Sequence, residues 1–147
     1  MSPTTATRHD VPKQAWWARL VDSCYRATTP KLVQEMQHEA SHAYNEMLED
    51  LDLPLDAHFE REMARQLQSG QPLGFKPART LMPVLMQRFG LQEAELATDP
   101  DYGAMRATCN GCPVVGRCWK AMRGGADLEE CRGFCPNAEA FDSRAAQ

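Results

Sequence analysis

The sequence predicts an all-α protein: a small helical domain built round a four-cysteine metal site and preceded by an N-terminal helical segment. Apolar residues recur at the spacing of amphipathic helices over much of the first half. Proline and glycine separate short segments in the second half. Five of the six cysteines fall between Cys109 and Cys135, which core packing alone does not explain. A hydrophobic content of 43% and a charged content of 24% over 147 residues are typical of a globular protein.

We expect the chain to divide into three parts. Residues 1–10 are predicted to form a flexible tail, residues 11–74 an N-terminal helical segment, and residues 75–147 a cysteine-rich helical metal-binding domain. Residues 71–77 contain prolines and a glycine, which favour a loop and mark the boundary between the two helical parts.

The first predicted helix begins after Asp10, whose side chain suits a cap, and has Pro12 in its first turn. Its apolar face consists of Trp16, Trp17, Leu20, Val21 and Cys24. We therefore interpret Cys24 as a thiol of the core. The helix is predicted to end at Thr28, because Thr28-Thr29-Pro30 suits a boundary between two helices.

Two more helices are predicted before the loop. The second covers residues 30–51, since an apolar stripe runs along it and Leu53-Pro54 follows it. The third begins after Asp56, a suitable cap, and ends at Gly70.

The cysteine-rich part is predicted to hold several short helices. The first opens at Lys76-Pro77 and ends at Gly90, with a kink or a later start at Pro83. A short helix follows over residues 91–97, and the next helix begins after Asp99-Pro100 and carries Cys109. A helix from Pro113 carries Cys118 and Trp119 and stops at Gly124-Gly125. A turn over residues 127–132 and a last helix from Pro136 to about Phe141 complete the predicted domain.

One motif in the second predicted helix suggests a different chemistry. His38-Glu39-Ala40-Ser41-His42 matches H-E-x-x-H, the zinc-metalloprotease signature. On a helix both imidazoles share a face, but that face lies opposite the apolar stripe, and no third ligand stands out. The longer metzincin form fails, because Asn45 and Leu48 stand where it requires glycine and histidine. We interpret the pair as a solvated helix face and keep an H-E-x-x-H metalloenzyme as a second alternative.

The cysteines have the spacing C-x2-C-x5-C-x16-C-P, with Cys131 as an extra thiol inside the last gap. Asn110-Gly111 between the first two favours a tight turn, so that both thiols can reach one metal centre. Cys131 precedes Cys135 by four residues. It is either a plain thiol or one that replaces Cys135 or pairs with it on oxidation.

The stretch from about residue 81 to residue 142 resembles an uncharacterised bacterial family, a domain of unknown function. The likeness consists of Met86-x-x-Phe89-Gly90-Leu91, then Asp99-Pro100, the C-x2-C-x5-C spacing, and Phe134-Cys135-Pro136-Asn137-Ala138. By position, the four cysteines of that family correspond to Cys109, Cys112, Cys118 and Cys135. The resemblance implies a helical metal-binding domain and brings no established activity.

A narrower likeness concerns Cys109-x-x-Cys112-Pro113-Val114-x-x-x-Cys118, which is similar to the core of WhiB-like iron–sulfur regulators. That resemblance implies a [4Fe–4S] cluster. The fourth cysteine of those proteins lies upstream, whereas the candidate here, Cys135, lies downstream, and their glycine-rich turn and basic tail are missing. The resemblance to WhiB-like proteins therefore does not predict that this protein binds DNA.

Four thiolates suit both tetrahedral zinc and an iron–sulfur cube. Zinc ribbons favour two close cysteine pairs, and only Cys109 and Cys112 form one here. A proline directly after a cysteine, as at Cys135-Pro136, also occurs in bacterial ferredoxin motifs. We therefore expect a [4Fe–4S] cluster held by Cys109, Cys112, Cys118 and Cys135, with Zn²⁺ in a structural adaptor protein as the alternative.

The charge distribution bears on partners. Residues 1–74 carry 7 Lys and Arg against 11 Asp and Glu, and residues 75–147 carry 9 against 9, which gives the net charge of −4. Neither part is basic enough to predict nucleic-acid binding. Arg106, Arg117, Lys120 and Arg123 lie close to the cysteines in sequence, and cations lower the cost of thiolate charge.

The sequence shows neither a phosphate-binding loop nor a nucleophile–base pair, the motifs that would predict an enzyme. The sequence therefore predicts redox sensing or electron transfer through a partner protein. No apolar run approaches the ~20 residues of a membrane span, and residues 1–10 lack the apolar core of a secretory signal. We expect a cytoplasmic protein, whose reducing surroundings favour a metal site over disulfides.

Overall fold

The structure is a computed structural model that describes residues 19–20 and 27–146. Within these residues the regular structure is helical and contains no strand, so that the all-α prediction is confirmed for this part of the chain. Within the same residues, no helix has the length and apolar character needed to cross a membrane. The predicted tail, most of the predicted first helix, and Cys24 lie outside the described residues.

The helices follow one another at short intervals. Their bounds are 27–39 for the described part of α1, Ser41–Glu49 (α2), Ala57–Ser69 (α3), Pro77–Thr80 (α4), Met82–Arg88 (α5), Glu93–Leu96 (α6), Tyr102–Asn110 (α7), Val115–Arg123 (α8), Leu128–Phe134 (α9) and Ala138–Ala145 (α10). Helix α3 packs on α8, α4 packs on α7, and α9 contacts α5, α8 and α10. These contacts bring the cysteine-bearing segments together.

The predicted boundary at Thr28-Thr29-Pro30 is wrong, because residues 27–39 are helical. Thr29 and Val33 are buried at 3% and 0% exposure, and Gln66 of α3 donates a hydrogen bond to the Pro30 carbonyl oxygen at 3.1 Å. Packing against α3 therefore outweighs the local preference of the sequence for a break.

The second predicted helix, over residues 30–51, is instead two helices. The backbone leaves the helical region at Ala40, where φ is −136° and ψ is 48°. Neither proline nor glycine stands at the bend, so that no local signal predicted it. On either side, Val33 of α1 and Tyr44 of α2 belong to the same buried core.

The caps of α3 agree with the prediction. The Asp56 carboxylate accepts a hydrogen bond from the His58 backbone N–H at 2.9 Å, and the helix ends at Gly70. Its inner face carries Met63 and Leu67, which are buried at 0% and 1% exposure.

Helix α8 joins the two halves of the chain. Its residue Gly116 lies against α3 so closely that an added Cβ would come within 2.2 Å of the Ala64 carbonyl oxygen. One turn later, Trp119 is fully buried, and its indole N–H donates to the Leu48 carbonyl oxygen at 2.8 Å. Because α8 also carries Cys118, these contacts hold one wall of the cysteine site in place.

The C-terminal helices follow the predicted order with shifted ends. The break predicted at Pro83 occurs at Leu81, and Asp127 caps α9 by accepting from the Glu130 N–H at 2.9 Å. Helix α10 continues to Ala145, whereas the sequence predicted an end near Phe141. The extension is held by Arg144, whose guanidinium donates to Asp99 at 2.8 Å and therefore ties the last turn to the start of α7.

Candidate metal centre

The four cysteines predicted as ligands line one small cavity. Cys109 lies at the end of α7, Cys112 in the turn that follows, Cys118 in α8, and Cys135 directly after α9. Cys109, Cys118 and Cys135 are buried, and Cys112 is half-buried. The structure therefore brings together the side chains that the sequence singled out, although Cys109 and Cys135 are 26 residues apart in the chain (135 − 109).

The rest of the cavity wall is mostly apolar. It is formed by Pro77, Leu81, Met82, Leu85, Val115, Phe134 and Pro136, with Thr108 and Asn137 as the polar exceptions. The cavity measures about 20 Å³, close to the room that one water molecule occupies. Apolar walls of this kind limit the access of water to whatever the thiols bind.

Local backbone geometry places the first two cysteines. Helix α7 ends at Gly111, and the Cys112 N–H donates to the Cys109 carbonyl oxygen at 3.2 Å, which closes a tight turn. Asn110 secures this turn from outside, because its side-chain oxygen accepts from the Ala78 N–H at the start of α4 at 2.9 Å. The turn predicted at Asn110-Gly111 is confirmed, and the amide contact explains why α4 borders the cavity.

Asn137 contacts the cysteine site, and sequence analysis did not identify this role. Its side-chain N–H donates to the Cys109 sulfur at 3.3 Å and to the Met105 carbonyl oxygen at 2.9 Å. Its backbone hydrogen-bonds to Cys135. The residue is buried at 5% exposure. The only signal in the sequence was its position directly after Cys135-Pro136.

Burial dominates the acid–base properties of the site. It raises the pKa of Cys109 from 9.0 to about 11, against a smaller lowering by the Asn137 hydrogen bond. It likewise raises the pKa of Cys135 to about 12 and that of Cys118 further. Negative charge on the neighbouring cysteines raises the pKa of Cys118 in the same direction. Without a cation the buried thiols keep their protons at neutral pH, so that a metal must displace these protons to bind.

Cys131 is fully buried beside this group without lining the cavity. It lies in α9, one turn before Cys135, and the Cys135 N–H donates to its carbonyl oxygen at 2.9 Å. Burial raises the pKa of its thiol. The Cys131 sulfur lies near those of Cys118 and Cys135, because negative charge on it would raise the pKa values of both thiols.

The five cysteines in the described part of the chain are all free thiols. Over residues 19–20 and 27–146, no group of three or more histidine, cysteine, aspartate or glutamate side chains has the arrangement of a metal site. The structure thus gathers four thiols around a cavity without showing a metal centre.

The cations predicted near the cysteines have separate roles. Arg106 lies over the Tyr102 ring and lowers the pKa of Cys109. Arg123 stacks on Trp119 and pairs with Glu60 at 3.2 Å. Arg117 lies over the Phe134 ring with its guanidinium carbon 5.1 Å from the ring centre. The exposed Lys120 lines a groove that Phe134 also lines.

The two histidines of the H-E-x-x-H motif stand on the surface. His38 is exposed in α1, and the His42 side chain is 92% exposed and contacts Glu46 at 2.9 Å. The bend at Ala40 separates them. Both histidines are solvent-exposed, as the sequence predicted, but they lie on two helices rather than on one helix face. Over the described residues, no group of three or more possible ligands includes them.

Comparison with known proteins adds no relative to this picture. No known protein family, no curated protein and no solved structure matches the chain.

Proposed function

We propose that this protein binds one [4Fe–4S] cluster through Cys109, Cys112, Cys118 and Cys135. The observation that carries the proposal is the convergence of these four side chains on one cavity from two helices, the turn between them and the residue that follows α9. Soft thiolate ligands select iron–sulfur clusters or zinc over hard cations. The donor set therefore fits the group.

The surroundings of the thiols support a redox role. The Asn137 amide donates to the Cys109 sulfur, and hydrogen bonds to sulfur raise the reduction potential of such clusters. The aliphatic wall over Leu81, Leu85 and Val115 restricts water. With four cysteine ligands the cluster supplies one-electron chemistry and has no open position for a substrate.

We propose electron transfer or redox sensing in the cytoplasm, exerted through a partner protein. This function agrees with the two sequence resemblances, to the bacterial family with the closing Phe134-Cys135-Pro136-Asn137-Ala138 and to the core of WhiB-like proteins. In this proposal the protein part of the mechanism is to hold the sulfurs, to hydrogen-bond them through Asn137, and to keep water away.

A zinc-stabilised adaptor is the second candidate, because four thiols that line one small cavity also suit a single tetrahedral Zn²⁺ ion. Zinc would give the same domain stability without redox chemistry.

Two serine variants test the ligand assignment. Cys112→Ser removes a predicted ligand at a half-buried position, and we expect it to abolish retention of the metal in protein purified without oxygen. Cys24→Ser is the matched control and should keep the full metal content. A Cys112→Ser protein that retains its metal stoichiometrically would contradict the assignment.

A further inference from the structure

We propose that the groove between α8 and α9 docks an acidic surface segment of a partner protein beside the cysteine site. The inference rests on the proposed function, in which a partner communicates with that site. The α8 wall consists of Arg117, Lys120 and Ala121, and the α9 wall of Glu130 and Phe134. The turn over residues 124–126 closes one end.

The position of Phe134 connects the groove with the thiols. This residue lines the groove and also lines the cavity that contains Cys109, Cys112, Cys118 and Cys135. One aromatic side chain therefore separates a partner seated in the groove from the candidate centre. The groove measures about 360 Å³, which accommodates a few side chains rather than a large interface. Weak redox encounters bury less than about 1,200 Å² in total, so a small contact suits such a partner.

The charge of the groove determines the kind of partner. Arg117 and Lys120 are exposed, and within the described residues neither forms an ion pair. The other arginines of this region are engaged: Arg123 with Glu60, Arg132 with Asp142, and Arg144 with Asp99. Glu130 is the one acid among the groove residues, so that two cations face one carboxylate.

Arg117 is held in a suitable pose. Its guanidinium lies 5.1 Å from the centre of the Phe134 ring, and stacking of this kind leaves the in-plane N–H groups available. Those N–H groups match the two oxygens of a carboxylate. Arg117 and Lys120 give the groove a local positive charge that attracts an acidic segment at short range, although the chain as a whole has a net charge of −4.

The test maps an acidic peptide on the intact protein by nuclear magnetic resonance. The probe is hexaglutamate with a nitroxide label, and hexalysine with the same label is the control. We expect the glutamate peptide to broaden the backbone amide signals of Lys120, Gly124 and Gly125, and the lysine peptide to leave them sharp. The broadening should fade between about 10 mM and about 150 mM salt, where the Debye length falls below the span of the site.

Charge-removing variants make the test specific. Arg117→Gln and Lys120→Gln should each weaken binding of hexaglutamate by about threefold to fivefold, the effect of one unit charge at close range in water. Lys31→Gln, on the exposed face of α1, should leave the affinity unchanged. Equal broadening over the whole surface, or unchanged affinity in both groove variants, would overturn the proposal.

Competition separates an acidic segment from a small anion. Inorganic phosphate at the concentration of the peptide should not displace it, and displacement would identify a small-anion site and overturn the proposal. The mapping is also carried out on zinc-loaded protein, because a paramagnetic cluster would itself broaden the amide signals close to Cys118. A colourless protein that still concentrates hexaglutamate in the groove would contradict the proposed cluster and support the docking surface.

Discussion

At the scale of single residues, the site depends on which cysteine sulfurs come together and on which groups donate hydrogen bonds to them. The sequence predicted Cys109, Cys112, Cys118 and Cys135 from spacing and resemblance, and the structure places all four around one cavity. The sequence did not predict the role of Asn137. The contact between the Asn137 amide and the Cys109 sulfur joins α7 to the loop before α10. A contact between residues 28 positions apart leaves no local periodicity in a sequence (137 − 109).

Replacing Asn137 by alanine tests its role in the fold. The variant removes a buried donor that serves both the Met105 carbonyl oxygen and the Cys109 sulfur, and we expect the free energy of unfolding to fall by about 1–3 kcal/mol. Ser143→Ala, on the exposed side of α10, is the control and should change it by less than about 0.5 kcal/mol. Urea unfolding measures both, and equal values for the two variants would count against the contact.

The thiols give the metal-free protein a defined response to alkali. The folded-state pKa of Cys109, about 11, lies above its usual 9.0, and that of Cys135 is about 12. Above pH about 9 the unfolded chain therefore loses thiol protons that the folded chain still holds. We expect the free energy of unfolding of the metal-free protein to decrease from pH about 9 upward and to be insensitive to these groups below it. A rise in stability over this range, measured by denaturant unfolding, would contradict the burial of the thiols.

At the scale of helices, local signals predicted caps and turns better than they predicted bends and ends. Asp56 and Gly70 mark helix ends as the sequence indicated. The bend at Ala40 has no local sequence signal, and the helical state of Pro30 is accompanied by a contact with the distant helix α3. Similarly, α10 exceeds its predicted length because Arg144 reaches Asp99. Sequence periodicity contains no information about such long-range partners.

The crossing of α3 and α8 depends on the absence of a side chain at Gly116. A methyl group there would meet the Ala64 carbonyl oxygen at 2.2 Å, so that Gly116→Ala must push the helices apart. We expect a loss of about 1–3 kcal/mol of stability, as for overpacked cores. Gly103→Ala, in α7 with no atom within 4 Å of its added Cβ, should be neutral or stabilise by up to about 1 kcal/mol. Thermal unfolding of both variants measures the difference, and equal midpoints would refute the close contact.

Arg123 joins α8 to the segment after α2. Its side chain is 5% exposed, pairs with Glu60 and donates to the carbonyl oxygens of Asp50, Leu51 and Leu53. Arg123→Ala removes these contacts and leaves the Glu60 carboxylate without its cation, and it should cost about 3 kcal/mol. Arg79→Ala, which breaks the exposed pair with Glu49, should cost less than about 1 kcal/mol. A similar loss in both variants, measured by urea unfolding, would argue against a special role for Arg123.

At the scale of the whole molecule, the helices of the described chain form one hydrophobic core that extends from Val33 to Phe141. The cysteine cavity lies at the part of this core where α4, α5, α7, α8 and α9 meet. The sequence predicted the helical class and the composition of the site. It could not predict the contact between α3 and α8, because tight helix crossings depend on surface shape rather than on spacing.

The central claim is that the four gathered cysteines hold an iron–sulfur cluster, and the most direct test is the iron and sulfide content of the full chain purified without oxygen. The account predicts about four iron and four acid-labile sulfide atoms per chain, no zinc, and an absorption band near ~400 nm. A colourless protein with one zinc ion per chain, or one with no bound metal, would contradict it.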